Sequence, residues 1–92
     1  MHNPSATLLI IDDDDVVRAS LAAYLDDSGF KVLQAPNGPR GVELFDAEHP
    51  DLVICDLRMP QMDGLELIRL ISERQADLPV IVVSGAGVMS DA

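Results

Sequence analysis

The sequence has a single cysteine, Cys55, so it can form neither an internal disulfide nor a cysteine-based zinc site. It has no Trp, and aromatics make up 3% of the residues, so any core must be aliphatic. Positive charge is scarce: 6 Lys and Arg stand against 16 Asp and Glu, a net charge of −10. That field repels polyanions, which argues against direct binding of nucleic acid or an anionic membrane surface. The surplus acid points instead to cations, basic partners or solubility. Long apolar runs are missing too; the longest are short stretches such as Leu8–Ile11 and Val80–Val83. No segment can span a bilayer, and Met1–Thr7 lacks the apolar stretch of a signal peptide. The expectation is a soluble cytoplasmic protein. What the chain does contain is 48% apolar residues, which argues for a packed core and against disorder. Its 92 residues suffice for one domain and not for two.

No internal repeat, low-complexity tract or linker interrupts the chain. Two kinds of segment alternate instead. Leu8–Ile11, Leu52–Cys55 and Val80–Val83 are short, continuous apolar runs. Such runs predict strands buried on both faces, the habit of parallel sheets. Lys31–Gln34 is a weaker strand pattern that belongs nearer an edge. Between them lie helical patterns. After Asp15, apolar residues fall at Val17, Leu21, Tyr24 and Leu25, with Ser28-Gly29 as the stop and Gly29 as a left-handed cap. Pro39–Ala47 predicts a second helix, with Val42 and Phe45 facing inward. Leu65–Arg74 predicts a third, capped by Asp63, with Leu67, Ile68 and Ile71 as its inner stripe. Met89–Ala92 would begin a further helix. The order β-α-β-α-β-α-β implies a doubly wound α/β sheet of parallel strands.

In such sheets the site lies beyond the carboxyl ends of the strands. The first strand runs into Asp12-Asp13-Asp14-Asp15, the third into Asp56 and the fourth into Ser84. If the first and third strands are neighbours, their tips lie ~5 Å apart, and Asp12 or Asp13 converges with Asp56. Clustered carboxylates repel one another, and a cluster that stays ionised needs a cation. Carboxylate oxygens suit Mg²⁺, Mn²⁺ or Ca²⁺ rather than zinc. A divalent ion beside a carboxylate is a setting for phosphoryl transfer, because it neutralises charge developing on the phosphoryl oxygens. The plainer alternative for Asp14 and Asp15 is a solvated turn in which one of them caps the first helix. Asp56 alone would be an ordinary strand-end carboxylate, and Ser84-Gly85 an ordinary turn; the signal lies in the set.

These residues resemble the receiver domain of two-component response regulators. The resemblance runs from Leu8 to about Met89. Its strongest parts are Leu9-Ile10-Ile11-Asp12-Asp13-Asp14 and the stretch from Asp51 to Gly64, with Asp56-Leu57-Arg58-Met59-Pro60-Gln61-Met62-Asp63-Gly64 as its core. It implies a flavodoxin-like fold over residues 1–92, with strand order 2-1-3-4 in the part present. It implies that Asp56 is the phosphoacceptor, taking the group from a sensor histidine kinase or a phosphotransfer protein in a phosphorelay. Mg²⁺ (or Mn²⁺) would be held by Asp56, by Asp13 directly, by Asp12 largely through water and by the backbone carbonyl of Arg58. Ser84 would contact the phosphoryl oxygen, and Pro60 and Gly64 would shape the loop after Asp56. The output would pass to an effector domain or protein partner that the sequence does not name.

The sequence departs from that family in three places. The family's Lys-Pro pair after a fifth strand is absent, and the one lysine, Lys31, stands near the start of the second strand. The switch aromatic of the fifth strand is absent. Gly85 stands where a small residue, often Ala, follows the switch hydroxyl. The first two departures are expected of an N-terminal fragment that stops before the fifth strand and fifth helix. An uncovered Val80–Val83 edge would then allow two copies to pair or aggregate. The Asp-Leu-Arg-Met-Pro and Ser-Gly-Ala-Gly-Val-Met wording resembles the orphan regulators that act as sigma-factor adaptors.

The remaining residues have plainer readings. Cys55 is expected to be a buried, inert thiol. His2 and His49 have no ligand partner nearby in sequence. Met59 and Met62 are expected to pack loops, Arg69 and Arg74 to be solvated on the outer side of the third helix, and Tyr24 to be core or rim. The leading functional expectation is a phosphorylation-controlled signalling module rather than a turnover enzyme. The alternative is a receiver-like protein-binding module independent of phosphorylation, against which the intact Asp12, Asp13, Asp56 and Ser84 argue. A metal-dependent hydrolase or phosphatase would want a further acid/base residue beside the acceptor, and no candidate is placed there.

Overall fold

The computed structural model describes residues 6–57, 59 and 62–83. Along the chain the elements are β1 (Thr7–Ile11), α1 (Asp15–Asp27), β2 (Lys31–Ala35), α2 (Gly38–Glu48), β3 (Leu52–Asp56), α3 (Gly64–Arg74) and β4 (Val80–Val83). The four strands form one sheet in the order β2-β1-β3-β4. Every pairing is parallel, as the apolar runs require. β1 lies between β2 and β3, and its residues Leu8 to Ile11 are buried together with Val53, Ile54 and Cys55 of β3.

Local chemistry sets where each helix starts and stops. The Asp14 carboxylate accepts hydrogen bonds from the Val16 and Val17 N–H groups, both at 3.0 Å, and so caps α1. Gly29 follows the helix at φ +103°, a conformation that suits a residue without a side chain. Asn37 caps α2 by accepting from the Arg40 N–H at 2.8 Å. Asp63 caps α3 by accepting from the Glu66 N–H at 2.9 Å. The expected helix boundaries hold to within a residue.

The helices fall on both faces of the sheet. On one face Phe45 of α2 and Leu67 and Ile71 of α3 pack with Leu9, Ile11, Val53 and Cys55, joined by Met59 and Leu78. On the other, Ala22 of α1 packs with Ile10 and Ile54, flanked by Leu21, Leu25, Val32 and Leu52. Alternate residues of β1 therefore serve opposite faces. Gly64 meets a close approach here. A side-chain carbon on it would lie 2.8 Å from the Asp56 carbonyl oxygen and 2.8 Å from Leu57 Cα. Both are backbone atoms that cannot yield, and the Gly64 N–H donates to the Leu57 carbonyl at 2.8 Å. α3 thus starts pressed against the end of β3.

Three expectations need correction. The apolar run Val80–Val83 reads as a doubly buried strand, but the uncovered edge, also expected, is what is found: Ile81 is 48% exposed, and Val82 and Val83 are exposed too. Among the described residues β4 is an edge strand with β3 as its one neighbour, so apolar content does not guarantee cover. Tyr24 and Val17 of the expected α1 stripe are also exposed, Tyr24 at 69%. α1 touches the sheet through Ala22 and the flanking Leu21 and Leu25, which turns Val17 and Tyr24 toward an open apolar hollow that reaches Val83. Arg74 is not merely solvated: its Nε donates to Asp46 of α2 at 2.7 Å, tying the two helices of one face. Arg69 is exposed as expected and pairs with Glu73 and Glu66 along its own helix.

Leu67 is 0% exposed at the centre of the larger core. Leu67→Ala is expected to cost about 2–5 kcal/mol, the usual range for a buried Leu truncation. Tyr24→Ala on the open flank of α1 should change stability by no more than about 0.5 kcal/mol, as surface changes do. Urea unfolding followed by circular dichroism measures both; similar costs for the two would contradict the core assignment.

Candidate functional site

The ends of β1 and β3 build the site. In the β1–β3 ladder Ile11 lies opposite Cys55, so the next residue on each strand, Asp12 and Asp56, meet at the carboxyl edge of the sheet. Asp13 follows in the turn before α1. Asp12, Asp13 and Asp56 each offer a carboxylate oxygen, and these oxygens all lie within 4.8 Å of one another. Asp12 is buried, Asp56 is intermediate and Asp13 is exposed. One side of the cluster is therefore closed and one faces solvent.

The turn that carries Asp12 and Asp13 is closely tied. The Asp12 N–H donates to the Ala35 carbonyl of β2 at 3.1 Å. The Asp12 carboxylate accepts from the Asp14 N–H at 2.9 Å. Arg18 of α1 reaches back to donate to the Asp12 carbonyl at 2.7 Å. On the β3 side the Leu57 N–H donates to the Val83 carbonyl at 3.1 Å, which carries the ladder one step past Asp56. Arg18 and Ala35 form no part of the sequence pattern around the acids. The signal for Arg18 was a lone cation one turn after the acidic run, i+3 from Asp15.

The electrostatics of the described acids are those of like charges gathered closely together. Burial pushes the Asp12 carboxyl above the ordinary carboxylate value, and the charges of Asp56, Asp13 and Asp14 push it further. The hydrogen bond from the Asp14 N–H opposes them. Cys55, directly behind Asp56 and 0% exposed, has its thiol raised to about 11 by burial and by the Asp56 charge. It is a packed, unreactive thiol, as expected. The cluster fits a hard divalent cation: three carboxylates offer oxygen donors, and a cation between them relieves the repulsion. Of the expected site residues, Asp12, Asp13 and Asp56 come together and Gly64 shapes the following turn. Arg58, Pro60 and Ser84 lie outside the described residues.

Comparison with known proteins agrees with this geometry. A family model for the response regulator receiver domain matches residues 8–92. The autoinducer 1 sensor kinase/phosphatase LuxN of Vibrio campbellii is 41% identical over 85 residues, covering 92% of this chain and 10% of LuxN. The transcriptional regulatory protein GlrR of Escherichia coli K12 is 40% identical over 91 residues, covering 99% of this chain and 20% of GlrR. The chain thus spans a small part of these curated relatives. Among solved structures, a chain of the crystal structure of histidine kinase ThkA in complex with response regulator protein TrrA superposes with a TM-score of 0.83 at 28% identity. That match covers 95% of this chain and 75% of that one.

The raised carboxyl of Asp12 has a consequence for stability. Above the unfolded carboxylate value the folded chain holds this proton more tightly than the unfolded chain does, so the contribution of Asp12 falls as pH rises through that window and is lowest at neutral pH. Asp12→Asn keeps an oxygen for the Asp14 N–H and removes the charge. Without divalent ions its melting temperature should exceed that of the parent at neutral pH, and the gap should shrink toward acid pH where Asp12 is protonated. Thermal melts across pH check this; equal melting at pH 7 contradicts it.

Proposed function

This chain belongs to the response regulator receiver domain family, and on that premise we propose that it accepts a phosphoryl group on Asp56 with the help of Mg²⁺. One observation carries the proposal: three carboxylates from two distant segments converge within 4.8 Å at the carboxyl edge of the sheet. Metal-free, the arrangement is unfavourable, since like charges are gathered around a buried acid. A cation turns that cost into a binding site.

Each residue then has a task. An Asp56 carboxylate oxygen attacks the phosphorus of a phosphohistidine on a sensor kinase or phosphotransfer protein. A new O–P bond forms as the P–N bond breaks, and the histidine nitrogen leaves with the electron pair. Asp13, exposed at the mouth, would bind the ion directly, and the buried Asp12 would hold it largely through water. When bound, Mg²⁺ supplies neutralising charge for the phosphoryl oxygens. The Arg58 carbonyl and the Ser84 hydroxyl would complete the set. Gly64 and the capped start of α3 hold the backbone behind Asp56 against movement. ThkA with TrrA is a complex of a histidine kinase with a response regulator, and LuxN is named a sensor kinase/phosphatase, which supports a kinase as the donor. GlrR, a transcriptional regulatory protein, supports an effector region or partner as the receiver of the signal. In this reading the chain is a switch and not a turnover enzyme. Pairing of two copies through β4 gains no support from the comparisons and forms no part of the proposal.

A small-molecule phosphodonor tests the reading. With Mg²⁺, intact mass should show a gain of one phosphoryl group. The gain should vanish with Asp56→Asn or when the metal is chelated. No gain in a full-length version, with donor and Mg²⁺ present, would favour the phosphorylation-independent binding module.

A further inference from the structure

The Arg18 side chain is 14% exposed and spends its guanidinium on three acceptors from three parts of the chain. Nη1 donates to the Asp12 backbone carbonyl at 2.7 Å. Nε donates to Gln34 Oε1 of β2 at 3.2 Å. Nη2 donates to the Asp15 carboxylate at 2.7 Å. A guanidinium is a rigid planar fork, so three bonds in one plane fix the relative placement of everything they touch.

What they touch is the turn that carries the acids. The Asp12 carbonyl belongs to the peptide joining Asp12 to Asp13. Its oxygen is held by Arg18, while the Asp12 N–H on the other side is held by Ala35. Rotation of that peptide would swing the Asp13 side chain, the most exposed of the three carboxylates. Arg18 itself is anchored from both directions, by Gln34 on the strand and by Asp15 on the helix. The ion pair with Asp15, whose carboxylate is 81% exposed, contributes little energy by itself. It does occupy one edge of the guanidinium while Nη1 bonds a backbone oxygen.

We propose that Arg18 is a positioning residue for the divalent-cation site, holding the Asp12–Asp13 peptide so that the Asp13 carboxylate is aimed at the ion in advance. The inference rests on the metal-site reading above. Groups one step removed from a metal typically change affinity 10–100-fold when lost, because they orient the groups that bind. Arg18 differs from a hydrogen-bonded ligand in acting through the main chain. The same bonds explain why a cation can stand beside the acidic turn without taking the place of the metal: its donors face a backbone oxygen, an amide and an outlying carboxylate.

Mn²⁺ affinity, read by electron paramagnetic resonance of the free ion, tests this apart from any phosphorylation. Arg18→Met keeps the alkyl length and removes every donor, and should weaken Mn²⁺ binding about tenfold. Arg18→Lys, with one donor able to reach the Asp12 carbonyl, should recover part of that loss. Arg74→Met, which breaks the bridge to Asp46 between the α2 and α3 helices, is the control for a purely structural loss and should leave the affinity unchanged. Circular dichroism at the titration temperature confirms that each variant is folded; if Arg18→Met is not, Gln34→Ala, which removes one anchor of the guanidinium, replaces it and should weaken binding by a smaller factor. Unchanged affinity in the folded Arg18 or Gln34 variant, or an equal loss in Arg74→Met, overturns the positioning role. Absence of Mn²⁺ binding by the unaltered protein overturns the metal-site reading beneath it, so the two failures are distinguishable.

Discussion

The register between β1 and β3 is the constraint on which the rest depends. Parallel pairing sets Ile11 opposite Cys55, and the residues that follow on each strand are both aspartate. Side chains alternate between faces along a strand, so a slip of one residue would put the buried Leu9 and Ile11 on the wrong face as well as separating the acids. The hydrophobic demand of the core and the chemical demand of the site are therefore met by the same pairing. Leu9 and Ile11 pack in one core and Ile10 in the other, so the observed pairing also sets which side chains meet which helices.

That constraint has an electrostatic cost which the surroundings spread out. Placing Asp12 beside Asp56 and Asp13 raises its affinity for a proton, since burial and neighbouring charge both oppose ionisation. The start of α1 offsets part of this. Asp14 spends its charge on the Val16 and Val17 N–H groups, and the Asp14 N–H itself supports the Asp12 carboxylate. The four consecutive acids are thus not equivalent. Asp12 and Asp13 face the site, Asp14 caps the helix and Asp15 pairs with Arg18. The open side of the cluster, at Asp13, is where a cation and a phosphoryl donor would enter.

Legibility differed from element to element for physical reasons. β1, β3 and the caps at Asp14, Gly29 and Asp63 follow from short-range rules, because an apolar run or a capping side chain acts on its immediate neighbours. α3 was legible for the same reason: Leu67 and Ile71 recur at helical spacing and both are buried. α1 was legible as a helix and misleading as a packing surface. Its stripe is only partly covered, and Val17 and Tyr24 look out over an open hollow beside Val83. β4 carries the same lesson, since Ile81 to Val83 match a buried strand in composition and sit at an edge among the described residues. The bridge from Arg74 to Asp46 was hidden because it joins residues 28 apart in sequence.

The amino-acid order alone determined that strands and helices alternate, that acids end the first and third strands, and that the surroundings of Asp56 carry a receiver pattern. Each is a matter of neighbours along the chain, where periodicity, turn chemistry and residue type are sufficient. The folded arrangement decided which of the four consecutive acids joins Asp56, how deeply Asp12 is buried, and that Arg18 closes back on the Asp12 carbonyl. Those outcomes depend on distances between segments, and only strand register and helix placement bring such segments within reach of a carboxylate or a guanidinium.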